Sequence, residues 1–128
     1  MVKGEKEKVK DRAKIIREST HWLLYLGCQA SQIGYRYLRE AICVVCEMPD
    51  TISCVTKLLY PEVAKRFGTN DKQVERAIRN TIETAWEKGH PENMREIFGI
   101  CNGMQGCVRP TNTEFIEEIA KRVMNNEG

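Results

Sequence analysis

Lys72, Arg76, Arg79 and Glu83 recur at helical spacing, and three of the four are cations on one predicted solvent-facing side. Guanidinium and ammonium groups set out in this way can meet phosphates or base edges. The stretch that would present them is 60–79, YPEVAKRFGTNDKQVERAIR. Pro61 suits the start of a short helix, because its missing N–H falls among the unbonded donors of a first turn. Val63, Ala64 and Phe67 give that helix an apolar face and leave Lys65 and Arg66 outward. Gly68 stands where a tight turn needs positive φ or close backbone approach. Asn70 then caps a second helix, and Gln73 completes a capping-box pattern. Val74, Ala77, Ile78, Ile82, Ala85 and Trp86 form the inward stripe of that helix. The pattern is that of a helix-turn-helix whose second helix enters a DNA major groove. The plainer reading is a helical hairpin inside any all-α domain.

No other chemistry assembles from the sequence. His21 and His90 stand apart, without a paired acid and nucleophile. The Gly-rich run 99–106 lacks the strand-loop-helix setting of a nucleotide site. Carboxylates on the helices read as a solvated face, so the chain is expected not to be an enzyme and to carry no cofactor. Six cysteines (Cys28, Cys43, Cys46, Cys54, Cys101 and Cys107) do not give two close ligand pairs, so no metal site is expected. Buried, reduced thiols are the ordinary fate of such residues, and their number suits a reducing cytoplasm.

Bulk properties set the frame. The 128 residues are 41% hydrophobic and 30% charged, enough for one domain that buries roughly two thirds of its unfolded surface. The apolar runs near 22–28 and 41–46 are too short to span a bilayer, and residues 1–18 do not have the form of a signal peptide. The net charge of +2 comes from that same segment, which holds seven Lys/Arg and four Asp/Glu. Residues 19–128 carry 13 basic and 14 acidic side chains, so nucleic-acid affinity must come from local placement of charge.

Two regions follow: a charged arm or linker remnant at 1–19 and a helical domain at 20–128. The arm reads as a solvated helix, continuing toward THWLLYLG at 20–27. Ser31 is expected to cap a helix over 32–47 with Ile33, Tyr37, Leu38, Ala41, Ile42 and Val45 inward. A short helix is expected at 52–59, and another opens at Pro91 and ends at Phe98-Gly99. Residues 99–110 read as loop, and Thr111 or Asn112 caps a last helix with Phe115, Ile116, Ile119 and Val123 apolar. The fold class is all-α, with six or seven helices and no strand pattern.

At GYRYLREAI (34–42), VTKLLYPEVAKRFGT (55–69), VERAIRNTIETAWEKG (74–89) and RPTNTEFI (109–116), the chain resembles one family. It is similar to the C-terminal DNA-binding effector domain of the stage-zero sporulation response regulator, the sporulation initiation master transcription factor. The resemblance covers about 20–125. It implies a winged-helix-like all-α domain without a clear wing strand, with 61–68 and 70–88 as the helix-turn-helix. It further implies binding to short promoter boxes in double-stranded DNA, a homodimer on tandem boxes, and contact with an RNA polymerase sigma subunit. Glu75, Arg76, Arg79 and Asn80 match the family's reading positions, with Lys72 and Gln73 on the same ridge. Arginines there suit guanine or phosphate, and Glu75 suits cytosine or the orientation of an Arg. Glu75 and Arg79, four apart, are equally able to form a surface ion pair. Gln73 replaces the usual Arg, which predicts a shifted box preference, and Arg109 stands near a phosphate-contacting Lys position. Asn93 to Phe98 match the sigma-contacting surface poorly. No receiver domain precedes residue 20 here, which motivates an alternative: a decoy or interaction module that antagonises a full-length regulator or sigma subunit.

Overall fold

In a computed structural model residues 2–99 and 108–125 are described, with side chains from residue 12 onward, and the described residues form six α-helices. These are α1 (Val2–Leu26), α2 (Ile33–Glu47), α3 (Tyr60–Phe67), α4 (Asp71–Lys88), α5 (Pro91–Phe98) and α6 (Asn112–Asn125). A 3-10 helix at Pro49–Ser53 and a π-helical turn at Val55–Leu59 join α2 to α3. There is no strand among the described residues, and no helix there is long and apolar enough to cross a membrane. The side chains of 2–11, and residues 100–107 with Cys101 and Cys107, lie outside the described residues.

Helix α2 is the centre of the fold. Leu38, Ala41, Ile42, Cys43 and Val44 are fully buried, and Tyr35, Tyr37 and Val45 nearly so. Such a helix is apolar on more than one face because α1, α3, α4 and α6 all pack against it. Helix α1 contributes Ile15, Ser19, Leu23 and Leu26 at helical spacing, so it runs unbroken through position 19 with its inner side already buried there. Phe115, Ile116, Ile119, Ala120 and Val123 of α6 close the core, with Phe98 stacked on Phe115 at 5.2 Å. Each fully buried Leu or Ile contributes about 1.5–3 kcal/mol relative to exposure.

Several expectations are corrected. Ile33 is exposed rather than inward, because it opens α2 before the helix enters the core. Gln32, not Ser31, precedes α2, and it makes no side-chain cap. Phe67 is only partly covered, edge-on against Tyr37 at 5.0 Å. The helix expected over 52–59 is instead the 3-10 and π-helical pair, Pro49–Ser53 and Val55–Leu59. Arg66 does not simply face outward. Its guanidinium bonds Glu40 at 2.5 Å and Glu62 at 3.0 Å, and lies 3.6 Å from Glu47.

Glu40 is the hub of that network, since it also accepts from Arg12 at 2.8 Å, while Arg12 pairs with Glu47 as well. One half-buried carboxylate therefore ties α1 and α3 to α2. Burial alone would push the Glu40 carboxyl up, but the hydrogen bonds from Arg12 and Arg66 outweigh it and hold the group below its ordinary value. Because the folded value lies below the unfolded one of about 4.3, the network's stabilisation is fully present at neutral pH. It is lost as pH falls through the depressed folded value. Thermal melts followed downward from neutral pH are expected to show a steep acid-side loss of Tm that Glu40→Gln flattens. A Glu40→Gln variant with an unchanged acid limb would refute the assignment.

Buried thiols behave as expected from their surroundings. Burial pushes Cys28 up to about 12 and Cys43 up to about 11, which keeps both protonated and unreactive. Cys54 is exposed, and Cys28, Cys43 and Cys54 form no disulfide among the described residues.

Candidate nucleic-acid interface

The turn between α3 and α4 is built as its residues demand. Gly68 adopts φ +67, a left-handed conformation that glycine enters without steric cost, and Thr69 N–H reaches back to Ala64 carbonyl at 2.9 Å. Buried Val63 and Ala64 hold α3 against the body. Asn70 Oδ1 then accepts the Gln73 backbone N–H at 2.9 Å, and α4 starts at the next residue. Two helices joined by a three-residue turn result, with α3 packed on α4.

Val74, Ile78, Ile82 and Ala85 of α4 are buried, and Ala77 and Trp86 are partly so. Thr81, which the apolar pattern passes over, is buried too. This stripe fixes the opposite side of the helix outward. Lys72, Gln73, Arg76 and Asn80 are exposed there. None of Lys72, Arg76 or the Asn80 side chain has a hydrogen bond or ion pair among the described residues. These groups form a ridge from the first turn of α4 to its third.

Glu75 and Arg79 sit on the flank of the ridge and pair with each other across one turn. Arg109 pairs with Glu83 at 3.2 Å, which brings the segment before α6 alongside α4. The six α4 residues singled out by sequence thus share one side of the helix, and Arg109 borders it. Both flanking ion pairs are substantially exposed, so each contributes little, about 0–1 kcal/mol, and exchange for another anion is cheap. Between them lies a recess of about 280 Å³ walled by Tyr60, Glu75, Arg79, Arg109, Thr111 and Asn112.

Tyr60 is a structural participant that sequence reasoning did not single out, and Asn112 was legible there only as a helix cap. Thr111 caps α6: its Oγ1 accepts Glu114 N–H at 3.1 Å while Glu114 Oε1 accepts Thr111 N–H at 2.9 Å. The capping pattern was readable in Thr111–Glu114. The reach of Asn112 to residues 52 and 37 positions away was not.

Asn93 to Phe98, the segment that matches the family's sigma-contacting surface poorly, is partly internal. Met94 and Ile97 are buried, Asn93 donates to Tyr25 carbonyl at 2.8 Å, and Glu96 accepts from the Tyr25 hydroxyl. Among the described residues no three His, Cys, Asp or Glu side chains converge on a point that could hold a metal.

A family model described as Sporulation initiation factor Spo0A C terminal matches residues 19–123. That span begins in the second half of α1, takes in the whole α3–α4 unit, and ends in the last turn of α6. The chain therefore belongs to the Spo0A C-terminal family of sporulation initiation factors, whose members are DNA-binding regulatory domains.

Proposed function

We propose that the chain is a sequence-specific transcription regulator that lays α4 in the major groove of short promoter boxes. Lys72, Gln73, Arg76 and Asn80 address the duplex directly. The Glu75–Arg79 pair reads or orients at the flank, and Arg109 meets phosphate. The observation that carries this reading is Arg76, unpartnered among the described residues, on an exposed ridge whose other side is seated in the core. A long, free guanidinium held on a rigid helix suits bidentate contact with guanine. Two copies on tandem boxes, a sigma-subunit contact and a place on the bacterial nucleoid in the cytoplasm belong to the same reading.

The test is binding to a duplex carrying tandem family boxes and to a scrambled duplex, each over a range of salt. Box preference that persists as salt rises supports base readout, whereas a shared steep salt dependence with no preference means phosphate contact alone. Equal affinity for both duplexes rejects sequence-specific reading. Retention of a full-length regulator or sigma subunit without DNA would instead favour the antagonist reading, in which the acidic balance after residue 18 keeps the chain off DNA.

A further inference from the structure

Resting on the reading of α4 as the recognition helix, we propose that the Asn112 side-chain amide is a positioning group that sets how α4 presents Glu75, Arg76 and Arg79. Its two N–H donors are both committed. One reaches Tyr60 Oη at 3.0 Å and the other reaches the Glu75 backbone carbonyl at 3.1 Å. Tyr60 is the first residue of α3 and is buried, and Glu75 lies in the second turn of α4. Asn112 itself is the first residue of α6, fixed there by the Thr111–Glu114 capping box and by buried Pro110. A single amide thereby joins the starts of α3 and α6 to the exposed edge of α4.

The bond to Glu75 falls on the reading edge rather than on the core side. A helix carbonyl has a second lone pair beyond the one used within the helix, and Asn112 occupies it. Core packing fixes the depth of α4 well, but resists rotation about its own axis less. A rotation of about 10° moves atoms on the helix surface by on the order of 1 Å. Base readout needs its groups held within about 0.5 Å. A tether on the carbonyl of the residue that also pairs with Arg79 opposes that rotation where it matters. The Tyr60 hydroxyl orients the amide, and burial raises the phenol's pKa while the Asn112 bond lowers it, so the hydroxyl stays neutral.

The experiment compares the full chain with Asn112→Ala, Asn112→Asp and Tyr60→Phe on boxed and scrambled duplexes, together with single-base-pair changes through the box. Asn112→Ala is expected to cut the box-over-scramble ratio about tenfold, as for the loss of two hydrogen bonds, with the scrambled affinity and salt slope unchanged. The relaxed base pairs are expected to be those relaxed by Arg79→Ala, and the double variant to lose less than the product of the two. Asn112→Asp keeps the size of the side chain and suits a first helical turn, so it reports on the donor even if the alanine variant folds poorly. Its scrambled binding gives the reference for its added charge. Tyr60→Phe leaves the Glu75 bond and is expected to change the ratio about twofold or less. A folded Asn112 variant that keeps the parental ratio overturns the inference, as does an equal fall on both duplexes. A parental chain with no box preference rejects the recognition reading itself and the inference with it.

Discussion

Arg76→Ala is expected to weaken binding to a boxed duplex by about 1–3 kcal/mol and to relax the preference at one base pair. The size follows from what Arg76 does in the free protein, which is nothing that would compensate its loss. It is exposed and unpartnered among the described residues, so its removal frees no buried charge and breaks no internal bond. Folding stability is therefore expected to change by less than about 0.5 kcal/mol. Arg79→Ala behaves differently. It leaves the Glu75 carboxylate without its cation beside a polyanion, so part of any loss on DNA is repulsion from Glu75 rather than a missing contact. The Glu75→Gln, Arg79→Ala double variant separates the two, because it removes that charge. Lys72→Ala is the reference for phosphate contact: a roughly uniform loss on all sequences with the salt slope reduced by about one. If Arg76→Ala gives that uniform loss as well, Arg76 touches phosphate and the base-reading assignment passes to its neighbours.

The parts of this architecture that were readable in the chain are the local ones. Gly68 in the left-handed region, Asn70 accepting from Gln73 and the Thr111–Glu114 box each follow from residues three or fewer positions apart. The exposed ridge of α4 follows from the apolar stripe behind it. What the chain concealed are pairings between distant positions. Arg66 has the look of a solvated cation until Glu40, 26 residues earlier, is brought beside it. Asn112 has the look of a cap until Tyr60 and the Glu75 carbonyl converge on it. Ile33 and Phe67 continue an apolar period and yet are exposed, since periodicity assigns a face and not the point at which a helix leaves the core. Position 34 belongs to the same class, because spacing alone does not say that a second backbone passes against it.

That crossing makes Gly34→Ala the substitution with the largest combined effect expected on fold and binding. A methyl at position 34 would lie 2.1 Å from the Ala77 carbonyl oxygen and 2.2 Å from Thr81 Oγ1. Relief to an ordinary contact requires a displacement of about 1 Å or more. The nearer obstacle is backbone, so no rotamer change can yield. Alanine would return about 1 kcal/mol of helix propensity to α2, against about 1–3 kcal/mol for forcing atoms into a packed interface. The balance is a net loss, expected as a fall in Tm of roughly 5 °C. The displaced segment lies between Arg76 and Arg79, so boxed binding is expected to fall further than scrambled binding, beyond what the lost stability explains. Thr81→Ala offers a partial rescue. Its hydroxyl is buried without a hydrogen-bond partner among the described residues, and its removal opens one of the two contacts while the Ala77 carbonyl remains. A double-mutant cycle should therefore show positive coupling that stops short of full recovery. An alanine variant that melts higher than the parent with box preference intact would mean that α2 and α4 have room to spare, and that the seat of the recognition helix lies elsewhere.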